Sequence, residues 1–444
     1  MNYSEISSLE NPVGTRGAGL IRPLEASARS KGIQFLLNYH MDHILRDGSA
    51  GNVTGISASY TPRFLPGSTI PLRSYRQQGN IQLSKENISI GAKKAVIIAT
   101  GGHSSNVNFR RIFDTRLTSE YQVAGEPYSF QDASGEIAAV AVGASLWGAA
   151  NQTLEHGPIL SIASMIGCRY GYGGIQWSTT SPIFPLVRAI ELEVTDYQGI
   201  ILVNQVGRRF YNEVNVSPYP RGNEYKSVDP TGNPPIEYSK GNYRNSSEIK
   251  YSSSDYLNAA LAPNSASRAP DYSAGPIWAI FDSEEVARQS WSLRYPYTDP
   301  DYFFEAATIE EIAGSLSRNP YQKVPMNPND LQSTVARYNS FVESGVDSDF
   351  GKPTPLRKIK HPPFYAAWAT PIVHDTRAGL RINERCQVID LFGNVIPKLY
   401  CGGESAGGLA LHGLGRAMCQ GYIAGLNSVS EPIEMHNSDS IGIH

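Results

Sequence analysis

Two apolar runs that end in glycine pairs stand far apart in this chain. Residues 95–102 (AVIIATGG) are typical of a buried parallel strand, because such a strand is covered on both faces. Residues 395–403 (VIPKLYCGG) repeat the pattern and precede a helix-like segment, Ala417–Leu426. An apolar strand, a glycine turn and a helix bring backbone amides against a cofactor in doubly wound folds. The pattern therefore predicts an α/β cofactor domain made from two distant pieces of sequence.

Other elements follow from the period of the apolar positions. Alternation predicts strands at Met41–Arg46 and Val53–Tyr60. A glycine-rich loop, Gly14–Gly19, leads into a helix at Leu20–Arg29, and Ala133–Val142 has helical spacing that stops at a glycine. Further strands are expected at Ile33–Tyr39, Ile88–Ile90, Gln387–Asp390 and Ile277–Phe281, and further helices at Thr308–Leu316 and Asn329–Val342, with Thr308 and Asn329 as N-caps.

Residues 215–275 interrupt this regular pattern. They are poor in aliphatic residues and rich in Tyr, Ser, Asn, Pro and Gly, so we expect a long and mostly irregular excursion. Doubly wound character returns at about Phe364. The pattern therefore predicts a cofactor domain in two pieces with a second domain inserted between them.

Length and composition are those of a globular protein. At 444 residues the chain exceeds what one core normally covers, which favours two domains. The formal charge of −3 gives no field that would steer nucleic acid or an anionic membrane. We expect neither a membrane span nor a signal peptide, and hence a cytoplasmic protein. The four cysteines form no CxxC pair, so neither a metal site nor a disulfide framework is expected.

Four motifs in order carry a family resemblance: AVIIATGG at 95–102, GRRFYNE at 207–213, HDTRAGLRI at 374–382 and GGESAGG at 402–408. The chain resembles the fumarate reductase and succinate dehydrogenase flavoproteins, including the 3-ketosteroid dehydrogenases. The resemblance implies an α/β fold: an incomplete doubly wound FAD-binding domain with an inserted α+β capping domain. The implied boundaries are 1–151 and 374–430 for the FAD-binding pieces, 152–373 for the cap and 431–444 for a tail.

The resemblance also implies a site. His374 matches the substrate-binding histidine, Arg416 in HGLGR matches the clamp for a substrate carboxylate, and His156 matches a histidine on the cap side. Ketosteroid-type relatives use tyrosines as acid and base, which draws attention to Tyr211 and Tyr219. The FAD-binding residues implied are Ala99, Thr100, Gly101, Gly102, Gly403, Glu404 and Gly408. The implied activity is hydride transfer at flavin N5 to or from a C–C bond beside a carbonyl or carboxyl group of a small-molecule substrate.

The sequence departs from the family in two places. It has no G-x-G-x-x-G turn followed by an acidic residue, so at least one βαβ unit of the family is missing. Three interpretations stay open: a piece of an FAD enzyme, a short form that binds flavin weakly or with a partner chain, and a flavin-free isomerase or cyclase that reuses the cleft for acid–base chemistry. In addition, Ser217 stands where fumarate reductases have their proton-donating arginine, and Arg221 comes four residues later. This difference disfavours fumarate itself as the substrate.

Overall fold

The structure is a computed structural model. It describes residues 16–65, 67–72, 80–81, 86–123, 126, 130–148, 153–155, 165–170, 179–180, 184–187, 190–213, 256–261, 264, 273–354, 356–408 and 413–433. Over these residues the fold is a mixture of helices and sheets, and the statements below refer to them.

Nine α-helices are described. In chain order, α1 to α9 are Arg16–Ser30, Val107–Arg110, Ser134–Ala141, Phe184–Val187, Tyr256–Leu261, Ser283–Gln289, Ile309–Leu316, Pro328–Ser344 and Gly413–Ser428. A 3₁₀-helix spans Gly403–Ser405.

Eighteen strands are described. In chain order, β1 to β18 are Phe35–Leu36, Tyr39–Arg46, Val53–Tyr60, Asn80–Ile81, Ile88–Gly91, Val96–Ile98, Leu146–Trp147, Thr153–Glu155, Met165–Ile166, Leu192–Glu193, Ile201–Val203, Trp278–Asp282, Phe303–Ala306, Phe364–Trp368, Ile372–Asp375, Gly379–Leu380, Gln387–Ile389 and Val395–Cys401.

The two glycine-ended runs lie side by side. Strand β18 pairs with β6 in parallel, so that Leu399 opposes Val96 and Cys401 opposes Ile98. The side chains of β18 alternate between two cores: Leu399 and Cys401 face the core that contains helix α3, whereas Tyr400 packs with Ala424 of helix α9. This period of two places a helix on each face of the parallel pair, as the doubly wound prediction requires.

An antiparallel sheet of β2, β3 and β5 adjoins this pair. Ile44 of β2 and Val53 of β3 are buried in the same core as Ile98 of β6. The N-terminal and C-terminal pieces of sequence therefore share one hydrophobic core, which we call the cofactor-side core.

The inserted region is built on a four-stranded antiparallel sheet in the order β11, β12, β14, β13. Alternation again separates its two faces. Trp278 and Ile280 of β12 pack with helices α7 and α8, while Ala279 and Phe281 face a second cluster. That second cluster also holds Leu117, Tyr121, Val123 and Val373. Residues 117–123 thus contribute their side chains to the core of the inserted region.

The GRRFYNE motif is explained by a buried ion network inside the inserted region. Arg209 donates two hydrogen bonds of 2.7 Å to the carboxylate of Glu213, and its Nη2 lies 2.7 Å from Asp347. Lys352 Nζ lies 3.3 Å from Glu213 and donates to the carbonyl of Ile200 at 2.7 Å. Burial acts to raise the pKa of Glu213, but Lys352 and Arg209 outweigh it and lower that pKa. The network fastens strand β11 to the turn that follows helix α8.

Most predicted elements are confirmed within a residue or two, and five need correction. Helix α9 spans Gly413–Ser428 and so includes four residues before the predicted start at Ala417. Helix α1 begins at Arg16, so Gly17 and Gly19 lie in a helix and not in a loop. The N-cap of α8 is Asn327, which accepts a hydrogen bond from the backbone of Asn329. The strand expected at Ile33–Tyr39 is split between β1 and β2, and helix α5 lies within the stretch expected to be irregular. Residues 214–255, 262–263 and 265–272 lie outside the described residues.

Membrane insertion through a helix has no support in the described part of the chain, where no helix combines the length and the apolar character that a span requires.

Candidate active site

The carboxyl ends of β6 and β18 form one edge. Gly402 donates its amide hydrogen to the carbonyl of Ile98 at 3.0 Å, and the hydroxyls of Thr100 and Ser405 are 3.0 Å apart. The amide of Gly102 donates to the Ser405 hydroxyl at 3.3 Å. Ligands of open α/β sheets bind outside the carboxyl ends of the strands. The edge is therefore where a dinucleotide would lie.

The glycines of this edge differ in what surrounds them. Gly101 and Gly403 adopt positive φ, and a Cβ on either would meet its nearest atom only at 3.9–4.0 Å. A Cβ on Gly102 would lie 2.5 Å from the Thr376 hydroxyl, and one on Gly408 would lie 2.9 Å from the ring of Trp147. Gly101 and Gly403 thus leave room for a ligand to approach the backbone, whereas Gly102 and Gly408 are required by packing within the protein.

Residues of both pieces fit FAD at this edge. Ala99 is exposed, and Thr100, Gly101, Gly403 and Glu404 are partly exposed beside it. Gly403 donates its amide hydrogen to the side chain of Gln420 at 2.8 Å, which fixes the 3₁₀-turn against helix α9. The edge therefore combines open backbone, which lets a pyrophosphate approach, with a hydroxyl and a carboxylate that can hydrogen-bond the hydroxyls of a ribose or ribityl chain.

One segment joins this edge to the inserted region. Strand β15 pairs with β8, with Val373 opposite Leu154, and Val373 donates its amide hydrogen to the carbonyl of Gln122 at 2.7 Å. His374 follows in the same strand; its side chain lies outside the described residues. Two residues later the Thr376 hydroxyl donates to the carbonyl of Glu404 at 3.0 Å. The segment thus runs from the junction of the inserted region to the glycine edge within five residues.

Arg416 meets the same segment. It lies on helix α9 with 2% of its surface exposed, and its Nη1 donates to the carbonyl of Thr376 at 3.0 Å. The structure therefore brings Arg416 to within two residues of His374 along the chain. Arg416 also acts on Cys401, where burial raises the pKa of the thiol, Glu136 raises it further and Arg416 opposes the rise.

Of the remaining predicted residues the structure describes Tyr211, which lies in the inserted region. His156 and Tyr219 lie outside the described residues, although Glu155, which precedes His156, pairs with Ile372 of β15. Tyr211 is 8% exposed and packs in the core of the inserted region beside Phe210, with ring centroids 6.5 Å apart. A proton-carrying role for these three residues stays a prediction.

A buried pair next to the edge was missed from the sequence. His103 follows Gly102 directly, and its Nδ1 lies 3.6 Å from the carboxylate of Glu136 in the first turn of α3. Both side chains are fully buried, and both Glu136 oxygens have no hydrogen-bond partner among the described residues. The only signal in the sequence was a histidine directly after a glycine strand end.

The fold and the edge define a flavin-binding protein. The family model described as an FAD binding domain matches residues 7–417, and the chain belongs to that family, whose cofactor is FAD.

The chain is also similar to particular relatives over part of its length. The chain is 44% identical over 86 residues to a fumarate reductase (cytochrome) of Shewanella frigidimarina, a match that covers 19% of this chain and 15% of that protein. It is 43% identical over 138 residues to the digoxin reductase of Eggerthella lenta, covering 31% of this chain and 23% of the relative.

A solved structure shows the same fold. The 3-ketosteroid Δ1-dehydrogenase from Sterolibacterium denitrificans in complex with 1,4-androstadiene-3,17-dione superposes with a TM-score of 0.51 at 18% identity. The superposition covers 92% of this chain and 62% of that one, so the chain spans less than two thirds of the length of this structure.

Proposed function

We propose that the chain belongs to an FAD-dependent oxidoreductase that acts on a C–C bond adjacent to a carbonyl or carboxyl group. Bound FAD would supply hydride exchange at its N5 atom. In the dehydrogenase direction a base of the protein would take the substrate proton while FAD would accept the hydride, so that a C=C bond forms; reduction would be the reverse. The observation that carries the proposal is the segment 372–376, which links the inserted region, Arg416 and the glycine edge.

The residues of the chain would hold and polarise the substrate oxygen. Arg416 is buried, and its hydrogen bond to the Thr376 carbonyl fixes the guanidinium, so its charge acts in a poorly screened environment. His374 would provide a second hydrogen bond to the same oxygen. Because Tyr211 is buried in the core of the inserted region, we assign the proton to His156 or Tyr219 in preference to it.

We propose a ring ketone as the substrate class in preference to fumarate. Ser217 occupies the position of the proton-donating arginine of fumarate reductases, whereas Tyr219, of the residue type that ketosteroid-type relatives use as acid and base, stands two positions later. The solved ketosteroid dehydrogenase that shares this fold supports the same class.

Variants of the two oxygen-binding residues test the proposal. His374→Ala and Arg416→Lys should each lower kcat for a 3-ketosteroid about 10²–10³-fold, the usual loss when one donor to a developing oxyanion is removed. Visible flavin absorbance should be retained in both. The exposed His361 gives a matched control, and His361→Ala should have wild-type kcat.

Two results would contradict this assignment. Wild-type kcat in both site variants would remove His374 and Arg416 from the mechanism. Turnover by protein that takes up no FAD would replace the redox proposal with flavin-free isomerase or cyclase chemistry.

A further inference from the structure

Arg169, which follows strand β9, is surrounded by tyrosine rings. The centre of its guanidinium lies 4.5 Å from the ring centroid of Tyr170, 5.1 Å from that of Tyr321 and 5.9 Å from that of Tyr302. Trp368 closes the back of this group, since its ring packs edge-on against Tyr302 at 5.1 Å and Tyr321 at 5.9 Å. We call Arg169 and these three tyrosines the tyrosine cage. The faces of its rings attract a cation and pack well against a flat apolar molecule.

The tyrosine cage has more hydrogen-bond donors than acceptors. Arg169 Nη2 donates to the side-chain oxygen of Gln122 at 2.9 Å and to the Tyr321 hydroxyl. Its Nε is buried and has no hydrogen-bond partner among the described residues, and the same holds for the indole nitrogen of Trp368. Burial raises the pKa of Tyr170 to about 12, against the opposing effect of Arg169, so its hydroxyl remains a donor at neutral pH. Buried donors without acceptors are unfavourable, and an oxygen from a ligand would satisfy them.

Two other arginines of the inserted region have the carboxylate partners that a structural role predicts. Arg209 is bonded to the carboxylates of Glu213 and Asp347, and Arg288 to those of Asp196 and Glu285. Within the described residues Arg169 forms no ion pair of this kind. Glu126 interacts with Arg169 only over a longer distance. A guanidinium with no carboxylate within ion-pair distance offers a planar fork for an incoming oxygen.

The tyrosine cage lies next to the candidate active site. Gln122, which accepts from Arg169 through its side chain, accepts from Val373 through its backbone at 2.7 Å. The next residue, Val123, forms a parallel bridge with Val373. His374 follows Val373 directly in strand β15. The backbone of His374 is therefore one residue away from the residue that bonds Gln122, the partner of Arg169.

We propose that the tyrosine cage is a second substrate subsite, in which Arg169 and Tyr170 bind a carbonyl or carboxylate oxygen at the far end of a ring-containing substrate. The inference rests on the proposed function, because it places the end of the substrate that is remote from the reacting C–C bond. The flat apolar rings of the substrate would pack on the tyrosines while its oxygen takes the unused donors. A small dicarboxylate offers no such rings and would gain little there.

Binding measurements on Arg169 and Tyr170 variants test this subsite. The probe is 1,4-androstadiene-3,17-dione, with benzoate as the ring carboxylate, measured by equilibrium dialysis so that turnover is not required. Arg169→Gln should weaken binding of the dione about tenfold or more and raise the KM for a 3-ketosteroid by a similar factor. Both kcat and FAD content should change far less. Arg169→Lys should recover part of the affinity. Arg337, an exposed arginine of helix α8 paired with Asp349, gives the matched control, and Arg337→Gln should bind as the wild type does.

The outcomes separate this inference from the proposed function. If the wild type binds the dione without redox turnover and Arg169→Gln loses that binding, the proposed function fails and the subsite stands. If the wild type turns over and a folded Arg169→Gln has unchanged KM and affinity, the subsite is refuted alone. Should Arg169→Gln not fold, Tyr170→Phe decides, because it removes only a hydroxyl: a several-fold loss supports the subsite and unchanged affinity overturns it. Wild-type protein that binds neither probe also overturns it.

Discussion

Gly101 and Gly102 are neighbours with nearly the same backbone conformation, at φ values of +89° and +91°, in different surroundings. A side chain at Gly101 would enter open space, whereas one at Gly102 would collide with Thr376. Gly101→Ala should therefore lower the free energy of unfolding by about 1–2 kcal/mol through backbone strain alone. Gly102→Ala should add about 1–3 kcal/mol of overpacking to that strain.

Urea denaturation of the two variants measures the difference, and FAD titration gives a second reading. If FAD approaches the open side of Gly101, Gly101→Ala should weaken FAD binding more than it lowers stability. Equal losses of stability in both variants would show that the surroundings of the two glycines are misassigned.

His40 should make stability depend on pH. Its ring nitrogens lie 2.8 Å from Asp42 and 3.0 Å from Asp132, and hydrogen bonding to Asp42 first, then to Asp132, raises its pKa against the effect of partial burial. A raised histidine pKa stabilises the fold fully below the unfolded value, about 6.5, and this stabilisation is lost as the pH rises through the folded value. The groups are about one third exposed, so solvent screening limits the effect to under about 1 kcal/mol.

The measurement is the melting temperature of His40→Gln against wild type at two pH values. The deficit of the variant should be larger at pH about 5.5 than at pH about 8.5, on either side of the histidine range. A deficit that grows with pH would reverse the sign and exclude the ion pair as its cause.

At the scale of elements, helix α7 begins with a complete capping box. Thr308 accepts a hydrogen bond from the amide of Glu311 at 3.2 Å, and the Glu311 carboxylate accepts one from the amide of Thr308 at 3.1 Å. Thr308→Ala should lower the free energy of unfolding by about 1 kcal/mol, because an amide of the first turn loses its acceptor. Thr308→Ser keeps the oxygen and is the control. Calorimetry that finds both variants equal to wild type would rule out a stabilising role for the cap.

Elements with a strong period of apolar positions could be predicted from the sequence. The residues at which these elements begin and end were predicted less well. The apolar run at 395–403 predicted a buried strand, and Leu399, Tyr400 and Cys401 of that strand do face opposite sides. The start of α8 was misplaced because Asn327 and Asn329 flank Pro328, and both residue types cap helices. The glycines at 17 and 19 suggested a loop, but helix α1 includes them.

Part of the candidate site could also be predicted from the sequence, and part of it could not. Arg416 and the glycine edge could be predicted because motifs fix their position relative to a strand end. The proximity of His103 to Glu136 and of Arg169 to Gln122 joins residues 33 and 47 positions apart through tertiary packing, which no local pattern encodes. The role of each glycine also needed the structure, since only the neighbours of Gly101 and Gly102 distinguish open space from packing.

At the scale of the whole molecule, two cores meet at one segment. The cofactor-side core contains β6, β18 and α3, the inserted region has its own sheet, and residues 372–376 pass between them. A substrate oxygen held by Arg416 and His374 would lie where the inserted region meets the glycine edge. This arrangement is the structural basis for placing redox chemistry on a C–C bond at the junction.

The most direct test is a single-turnover measurement of flavin absorbance under anaerobic conditions. FAD-loaded protein, oxidised or reduced, is mixed with a 3-ketosteroid and its unsaturated counterpart, and product is quantified alongside the absorbance. The account predicts that flavin absorbance changes with one of these substrates and that one equivalent of desaturated or saturated product forms per flavin. Product that forms without any change in flavin absorbance, or a loaded flavin that responds to no ketone, enone or unsaturated acid, would contradict it.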